Sequence, residues 1–402
     1  MGVPPAFFIR QPYQHDRGER GLVPIARDPH SFSDVGSATG DVTSYTYDNG
    51  GRLTQITRPG SYITYQYNAR DWLTAVLNRT SGGVTCYDAN YYYNDGSLWD
   101  FVGNPLKRVE NTSGSIRTTT LRYDALSRQI QESRTPNPYS LYYTYDAVGN
   151  RASRNYNGTT VTYSYDNNNK LTSANDGSSF GYDNNGNMLA LSLSNGTGVA
   201  GPLGSWILVY DDESRPTSIT YPGGVDTFIY NALGQRMRGV FNGRARRYVY
   251  NDGRVLEDTN DVGATQSRYT TASGSYFSPL LHFFTGGDWT QRRYPAYDNI
   301  GTARLLLRGN GAITDNYVLD TFGRQIAVSG TTPNLARSRP PVGGRDRHGG
   351  AAGPHLATYR FGAAWGYITD TPGSGLLQLG ARYYWPEIGE SGTHHPIVEA
   401  KR

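Results

Sequence analysis

Short runs of alternating apolar and polar residues fill most of the chain, and each run ends in an aromatic or apolar residue followed by Asp or Asn. In one run, Val161, Tyr163 and Tyr165 alternate with Thr162 and Ser164. Residues two apart lie on one face of a β-strand, so this alternation predicts half-buried strands with polar residues facing outward.

A tight turn is predicted after each run. Three residues after the Asp or Asn, six copies have glycine, which tolerates the positive φ that hairpin turns require. These glycines are Gly51, Gly149, Gly186, Gly234, Gly301 and Gly323. Asn169, Ser127 or Ser214 takes this place in other copies, and two copies shorten the turn to Gly96 and Gly253. The unit is therefore strand, Asx-type turn and strand, about twenty residues long.

Twelve copies of this unit follow one another, and together they predict the fold. The clearest motif residues are Tyr47, Asp48 and Gly51; Tyr145, Asp146 and Gly149; Tyr165 and Asp166; Tyr182, Asp183 and Gly186; Tyr230, Asn231 and Gly234; Tyr250 and Asn251. Further copies centre on Asn68, Asn94, Asp124, Asp211, Asp298 and Asp320. One short hairpin cannot bury its own face, so neighbouring hairpins must pair edge to edge. The sequence predicts an all-β fold with one long antiparallel sheet.

The repeated Asp could indicate calcium binding or acid/base catalysis, but four of the twelve positions hold Asn: Asn68, Asn94, Asn231 and Asn251. Asn keeps the oxygen that accepts turn N–H groups and loses the charge, which favours a backbone-capping role. The tyrosines in register could form a stacking platform for sugars or bases. Cross-strand packing with the hydroxyl in water explains most of them more simply.

Composition supports β-structure and weakens several functional classes. The chain has Gly 49, Tyr 33 and Phe 12, and 18% charged residues, against about 25% in typical domains. The net charge of +4 is spread along the chain, and no long basic cluster predicts nucleic-acid binding. Cys86 is the single cysteine, which excludes an internal disulfide and a cysteine-based zinc site.

No catalytic, cofactor or metal site is predicted. None of the seven histidines stands in a HExxH or CxxC context, and Ser278 near His282 lacks the G-x-S-x-G context. The adjacent carboxylates Asp211 and Asp212 point to opposite faces of a strand. The N-terminus lacks a recognisable secretory signal, and no apolar run approaches the roughly 20 residues of a membrane span.

A second motif follows the repeats, in residues 359–389. Its characteristic residues are Asp370, Gly375, Leu376, Arg382, Tyr383, Tyr384 and Pro386. Together with the Tyr-Asp repeats, this run resembles the RHS/YD-repeat family, including its repeat-associated core, over residues 41–389. The resemblance implies a sheet of hairpins that spirals into a hollow shell, here partial.

The same resemblance implies a function. Shells of this family enclose a C-terminal polypeptide, commonly a toxin, or present an outer surface to a partner. We therefore expect a non-enzymatic structural shell of a secreted or cell-surface, polymorphic-toxin-like protein that encloses and carries a C-terminal effector. The alternative is a cell-surface adhesion or carbohydrate-binding protein of the same fold. The expected partners are the effector and a cell-surface glycan or protein, without nucleic acid or a membrane span.

The sequence departs from the family pattern near its end. Trp385 stands before Pro386, where the family has Asp, and the tail after Gly389 lacks the expected cleavage motif. We expect a fragment or an interrupted gene without its effector. The predicted segments are an irregular 1–40, a repeat shell 41–330, an Arg/Pro/Gly-rich insertion 331–358, an incomplete core 359–389 and an atypical tail 390–402.

Overall fold

A computed structural model describes residues 31–33, 42–136, 138–194, 203–251, 254–271, 280–285, 293–330, 368–369, 376–379, 382–386 and 388–391. The predicted insertion, the N-terminal 30 residues, Gly253, Asp370 and Gly375 lie outside the described residues. Within the described ranges every regular element is a β-strand, which confirms the predicted all-β fold.

The main run of strands extends from residue 31 to residue 285. It comprises β1 (Ser31–Ser33), β2 (Val42–Tyr47), β3 (Leu53–Arg58), β4 (Ser61–Tyr67), β5 (Leu73–Thr80), β6 (Thr85–Tyr92), β7 (Lys107–Thr112), β8 (Ser115–Tyr123), β9 (Gln129–Thr135), β10 (Tyr139–Tyr145), β11 (Arg151–Tyr156), β12 (Thr159–Tyr165), β13 (Leu171–Ala174), β14 (Ser179–Tyr182), β15 (Met188–Leu193), β16 (Gly204–Tyr210), β17 (Pro216–Tyr221), β18 (Gly224–Tyr230), β19 (Arg236–Phe241), β20 (Arg244–Asn251), β21 (Arg254–Thr259), β22 (Thr265–Thr271) and β23 (Leu280–Thr285).

Two short groups of strands follow. They are β24 (Tyr294–Tyr297), β25 (Ala303–Leu307), β26 (Ile313–Leu319) and β27 (Gln325–Gly330), then β28 (Ile368–Thr369), β29 (Leu377–Leu379), β30 (Arg382–Trp385) and β31 (Glu390–Ser391).

Strands β1 to β23 form one 23-stranded sheet in which each strand pairs antiparallel with the next along the chain. This confirms the prediction of a long antiparallel sheet. The copies at Asp298 and Asp320 are the exception, because they belong to a separate four-stranded sheet, β24–β27. Strands β28–β31, from the predicted core, form a third sheet.

The repeat turn is a three-residue hairpin loop with a bulge. In the copy at Asp48, the N–H of Asp48 donates to the carbonyl of Arg52 at 2.9 Å, and the N–H of Gly51 donates back to the carbonyl of Asp48 at 2.8 Å. The same pair of bonds recurs in the turns that start at Asn68, Asp124, Asp146, Asp166, Asp183, Asp211, Asn231, Asn260, Asp298 and Asp320.

The fourth residue of this turn has a positive φ in every copy of this type. Glycine fills it at Gly51, Gly149, Gly186 and Gly234, with φ of 76°, 97°, 84° and 76°. Residues with a side chain adopt the same left-handed conformation at Asp71, Ser127, Asn169 and Ser214, with φ of 62°, 60°, 61° and 61°. The bulged geometry therefore dictates the conformation, and glycine is the residue that meets it with the least strain.

The side chain of the first turn residue accepts hydrogen bonds from the turn backbone. Oδ1 of Asp146 accepts from the N–H of Val148 at 3.1 Å and of Asn150 at 2.8 Å. Oδ1 of Asn231 accepts from the N–H of Leu233 at 3.0 Å and of Gln235 at 2.9 Å. Asp and Asn make equivalent bonds, so the acceptor oxygen and not the charge defines this position.

Two sites differ from the predicted repeat. The copy at Asn94 does not return directly as a strand, because β6 and β7 are joined by the fourteen residues from Tyr93 to Leu106. Conversely, Asn260 begins a repeat-type turn with Gly263 at φ 81°, which the sequence pattern missed because Thr259 stands where the tyrosine is expected. Asn-x-x-Gly spacing was the signal that would have identified it.

The main sheet curves around the second sheet. Tyr294, Ala296, Leu305 and Leu307 pack against side chains of β2 to β6. The other side of the second sheet, including Tyr297, Ala303, Leu306 and Tyr317, packs against Tyr269 of β22 and Ile368 of β28. Early and late strands of the main sheet therefore lie on opposite sides of the same inner layer.

The sequence of β24 and β25 fits this interior position. All residues of Tyr294–Tyr297 and Ala303–Leu307 are buried, so these strands lack a solvent-facing side. A continuous apolar run such as Leu305, Leu306 and Leu307 is typical of a strand covered on both faces, whereas the outer repeats alternate.

Close backbone approach joins the two layers. A Cβ on Gly60, in the β3–β4 turn, would lie 1.8 Å from the carbonyl oxygen of Gly309, in the β25–β26 turn. Nearby, Nη1 of Arg58 donates to the carbonyl of Pro295 at 3.0 Å. Only glycine at position 60 allows the two turns to meet in this way.

The capping role predicts unequal effects of two substitutions at Asp146. We expect Asp146→Ala to lower the free energy of unfolding by about 1–2 kcal/mol, because two turn N–H groups lose their acceptor. Asp146→Asn should cost less than Asp146→Ala, since Asn keeps both backbone bonds, as it does at position 231, and loses only the bond that Oδ2 accepts from Nδ2 of Asn150 at 2.9 Å. Urea denaturation measures both, and equal losses would contradict the capping role.

The turn conformation predicts unequal effects at two equivalent positions. Gly234→Val should destabilise by about 1–3 kcal/mol, because a β-branched residue is strained at positive φ. Ser214→Gly should cost much less, because relief of the positive φ of 61° offsets the loss of the hydrogen bond that Oγ accepts from Nδ2 of Asn187 at 3.2 Å. Thermal unfolding of both variants tests the pair, and equal losses would contradict it.

Candidate functional site at the inner face of the sheet

In several repeats the tyrosine connects neighbouring repeats through its hydroxyl. Tyr145 donates to the carbonyl of Gln129 at 2.7 Å, and Tyr165 donates to the carbonyl of Arg151 at 3.0 Å. In these pairs the acceptor opens the return strand of the preceding copy, as it does for Tyr67–Leu53, Tyr93–Leu73 and Tyr250–Arg236. Tyr123 differs, because it donates to the carbonyl of Pro105, which precedes β7, at 3.3 Å. The expectation that these hydroxyls face water is therefore wrong for these tyrosines, and burial raises the pKa of Tyr145 to about 12.

A cation from one turn covers the tyrosine ring of the next. The guanidinium carbon of Arg52 lies 5.0 Å from the ring centre of Tyr67, and that of Arg128 lies 4.6 Å from the ring centre of Tyr145. Each of these arginines also donates from Nε to the carboxylate of its own turn, at 2.6 Å in both copies. Adjacent repeats are thus linked by a hydrogen bond and a cation–π contact.

Two arginines stand where other repeats open the return strand with Leu, Met or Pro. Arg151 and Arg236 occupy the fifth position after Asp146 and Asn231, and both are about 98–99% buried. Their side chains therefore lie on the inner face instead of in solvent. Arg236 lies 5.2 Å from the ring centre of Phe228 and 4.9 Å from that of Tyr248.

The described residues of the predicted core dock on these arginines. Nη1 of Arg236 donates to the hydroxyl of Tyr383 at 2.7 Å. Trp385 packs against Trp206 of β16 with ring centres 4.5 Å apart, and Leu376 and Ile388 belong to the same buried cluster. Trp385, which departs from the family pattern, is thus a buried contact of this interface.

Arg151 holds the end of the core. A Cβ on Gly389 would lie 2.7 Å from Nη1 of Arg151, and Gly389 has a φ of 70°, so a side chain here would be strained and would displace the guanidinium. Tyr384 donates from its hydroxyl to the carbonyl of Phe322 at 3.1 Å, and Phe322 itself lies under the guanidinium of Arg151 at 5.6 Å. Of the other predicted core residues, Pro386 is buried and Arg382 begins β30.

The remaining predicted motif residues lie at the turns and along the strands that support this face. Tyr165, Tyr182, Tyr230 and Tyr250 are partly buried and pack against the cluster that includes Trp206, while Tyr47 is 40% exposed. Asp48, Asp166 and Asp183 accept the N–H groups of Arg52, Lys170 and Asn187. For Asn251 the structure gives its strand position in β20.

A buried acidic cluster joins the second sheet to the main sheet. Glu132 accepts from the hydroxyl of Tyr139 and from Oγ1 and N–H of Thr321, at 2.5 and 3.1 Å for Thr321. Asp320 lies beside it, and burial, with the nearby charge of Glu132, raises the pKa of Asp320 to about 7 although Arg324 opposes the shift.

In a second buried cluster, around Glu110, nearby arginines outweigh the effect of burial on the pKa of the carboxylate. Glu110 accepts from the hydroxyl of Tyr87 at 2.8 Å and pairs with Nε of Arg108 at 3.2 Å. Burial alone would raise the pKa of Glu110, but Arg108 and Arg304 lower it to about 2. Arg304 of the second sheet lies 4.0 Å from Glu110 and pairs with Asp298 at 2.7 Å, so this cluster also bridges the two sheets.

These carboxylates are occupied by donors from the chain itself, an arrangement typical of structural clusters. Among the residues that the structure describes, no group of three His, Cys, Asp or Glu side chains could hold a metal ion. The described part of the chain also contains no helix of the length and hydropathy needed to cross a membrane.

Sequence reasoning missed Arg151, Arg236, Glu132 and Glu110 as components of this face. For the two arginines a signal was present, because aligning the repeats shows Arg where Leu53, Leu73, Leu171 and Met188 stand. For the two glutamates there was no local signal of a role between the sheets, since the partners from the second sheet, Thr321 and Arg304, are far away in sequence.

Comparison with known proteins adds three findings. The family model described as RHS Repeat matches residues 35–63 and 145–178. The tRNA3(Ser)-specific nuclease WapA of Bacillus spizizenii is 24% identical over 361 residues, which cover 86% of this chain and 13% of that protein. The tRNA nuclease WapA of Bacillus subtilis gives the same values. The chain thus spans about an eighth of the length of these relatives.

Solved structures give weaker matches. The TcdB2-TccC3-Cdc42 structure has a TM-score of 0.42 and 17% identity, covering 89% of this chain and 20% of that chain. The Photorhabdus luminescens Tc holotoxin pore has a TM-score of 0.43 and 17% identity, covering 90% of this chain and 20% of that chain.

The raised pKa of Asp320 predicts a pH dependence of stability. Between its ordinary value of 3.8 and about 7 the folded state binds more protons than the unfolded state, so stability should fall as pH rises through this window. Asp320→Asn keeps the Oδ1 acceptor and removes the charge, so it should flatten this part of the profile and stabilise the protein at pH 8.

Urea denaturation from pH 4 to 8 measures the profile for wild type and variant. Val262→Ala, in an outer turn, is the control and should leave the profile unchanged, because it removes no titratable group. An unaltered slope in Asp320→Asn would contradict the assignment.

Proposed function

We propose that this chain, a member of the RHS/YD-repeat family as its sequence pattern predicts, is a structural shell segment that surrounds and carries the polypeptide following its own core. It performs no catalysis itself in this proposal, and it acts outside the producing cell, secreted or at the cell surface. The effector is the partner, supplied by sequence C-terminal to the core.

One observation carries the proposal: the core lies on the inner face of the curved sheet. Tyr383 and Trp385 contact Arg236 and Trp206, and Gly389 lies against Arg151. Strand β31, at Glu390–Ser391, continues this docked sheet. In the proposal, a polypeptide that follows it starts from the inner face of the main sheet.

The relatives suggest a class of effector to test first. Both curated relatives are named as tRNA nucleases, and this chain matches only about an eighth of their length. In the proposal, the chain corresponds to part of the carrier, and a nuclease is the first effector activity to seek in sequence that accompanies it.

Protease protection tests enclosure directly. A flexible linker with one site for a specific protease is fused after Arg402 of the full chain, and the same linker is fused before Met1 as the matched placement. We expect the C-terminal site to be cleaved several-fold more slowly, because its origin lies on the inner face.

Two variants test whether slow cleavage results from docking of the core and not from the sequence around the cleavage site. Gly389→Val should clash with Arg151 and release the core, which should raise cleavage of the C-terminal site. Val262→Ala, at a residue 87% exposed, should change nothing. Equal cleavage at both ends of the wild-type chain, with the fold intact by circular dichroism, would refute enclosure.

Adhesion or carbohydrate binding remains the alternative function. A group of exposed aromatic side chains, Trp99 at 66% and Phe101 at 68%, is the observation that favours it. Saturable binding on a glycan array that is lost in Trp99→Ser would support this alternative over the carrier.

A further inference from the structure

The connection between β6 and β7 is built differently from the other repeat turns. Residues 93–106, here called the aromatic loop, take the place of a turn of the repeat type, yet β6 and β7 pair in unbroken register from Tyr87–Thr112 to Tyr92–Lys107. The loop therefore extends from the turn edge of the sheet without altering the sheet.

The aromatic loop exposes large apolar side chains. Leu98, Trp99, Phe101 and Val102 are 48%, 66%, 68% and 59% exposed. Four such residues within five positions form a concentrated apolar surface, which on a water-facing loop indicates an interaction site. Trp in particular is enriched among residues that dominate binding energy.

The loop is held in one conformation by its own acidic side chains. Oδ1 of Asp100 accepts from the N–H groups of Val102, Gly103 and Asn104 at 3.0, 2.6 and 2.7 Å. Oδ1 of Asp95 accepts from the N–H groups of Ser97 and Leu98, and its Oδ2 pairs with Arg122. The apolar side chains are thus presented from a preorganised backbone, which lowers the entropy cost of binding.

An exposed arginine completes the surface. The guanidinium carbon of Arg70 lies 5.2 Å from the ring centre of Trp72 and 5.8 Å from that of Phe101. Trp72 stacks in turn on Tyr93 at 4.8 Å. Within the described residues, the Arg70 guanidinium has no carboxylate or hydrogen-bond acceptor, so its in-plane N–H donors remain available to a partner.

We propose that the aromatic loop and Arg70 form a docking surface for a polypeptide segment in which a carboxylate adjoins large apolar side chains. Arg70 supplies the charge complement beside the rings of Trp72 and Phe101. Trp99, Leu98 and Val102 supply the apolar contact. This recognition lies outside the carrier role, because the loop is exposed whereas the described core residues are buried.

The same geometry disfavours a sugar ligand. A glycan presents hydroxyl groups around each ring and needs several free donors and acceptors. The oxygens of Asp95 and Asp100 are already engaged within the loop, and Asn104 donates to Asp100 at 3.0 Å and to Ser127 at 3.2 Å. Large apolar side chains and the Arg70 guanidinium dominate the exposed surface, and they match an acidic and apolar peptide better.

The neighbouring turn extends the apolar surface. The bond from Asn104 to Ser127 ties the loop to the turn that starts at Asp124, where Leu126 is 72% exposed. Repeat turns lie about 10 Å apart along the edge, since two strands separate them. A bound segment can therefore extend from Trp99 towards Leu126.

Selection from a phage-displayed library of random dodecapeptides tests the proposal. The library is first depleted on the double variant W99S/F101S of the full chain and then selected on wild type. We expect enriched peptides to combine Asp or Glu with Trp, Phe or Leu. In fluorescence anisotropy, Arg70→Gln and Trp99→Ser should each weaken binding of these peptides by about tenfold or more.

Matched controls come from the same fold. Leu233 is 83% exposed and holds the turn position equivalent to Arg70, so Leu233→Ser should leave binding unchanged. Arg244→Gln removes an exposed arginine elsewhere and should also have no effect. The proposal would be overturned if the enriched peptides lacked acidic residues and their affinity was the same for wild type and Arg70→Gln.

Other occupants of the surface give distinct results. Binding of glycans or of lipid vesicles that is lost in Trp99→Ser, without any enriched peptide, would overturn it. A wild-type dimer that becomes monomeric in Trp99→Ser by sedimentation would assign the surface to a second copy of the chain and would also overturn it.

Discussion

The hydrogen bond from the turn backbone to the side-chain oxygen of Asp or Asn is the interaction on which the rest of the structure depends. It fixes a bulged three-residue turn, and the bulge turns the residue after it so that its carbonyl faces the next repeat. The hydroxyl of the following tyrosine donates to that carbonyl, as Tyr165 does to Arg151. Each turn thereby positions its neighbour, which is how a long array of short hairpins becomes one cooperative sheet.

Sequence patterns could predict this much because the decisive interactions are local. Period-two alternation identified the strands, and the exchange of Asp for Asn at position 231 identified an acceptor whose charge is dispensable. The prediction that the tyrosine hydroxyls face water was wrong for the hydrogen-bonded tyrosines, because alternation gives the face on which a ring lies but not the acceptor of its hydroxyl. The inner position of β25 was also missed, although its unbroken run of Leu was a usable signal.

Buried charge explains why the core docks where it does. A guanidinium without water is costly unless aromatic faces and acceptors replace its hydration. Arg236 meets this requirement with Phe228, Tyr248 and the hydroxyl of Tyr383. Removing the core would leave these guanidinium groups without some of their partners. The arginines therefore bind the C-terminal strands to particular repeats. Long-range matching of this kind is not visible in any local pattern.

One position of the repeat shows how the same turn can serve opposite surfaces. The third turn residue is exposed in the outer copies, as at Leu126 and Val262, but in the inner sheet it is Phe322, which is 6% exposed against Tyr143. The backbone bonds of the turn are identical in both settings, so formation of the turn does not depend on which side chain stands at this position. Longer insertions at this edge are tolerated for the same reason, because loop closure costs little once the flanking strands are paired. The aromatic loop between β6 and β7 is such an insertion. Because the sheet does not depend on the side chains at its turns, a binding surface can form there without loss of the fold.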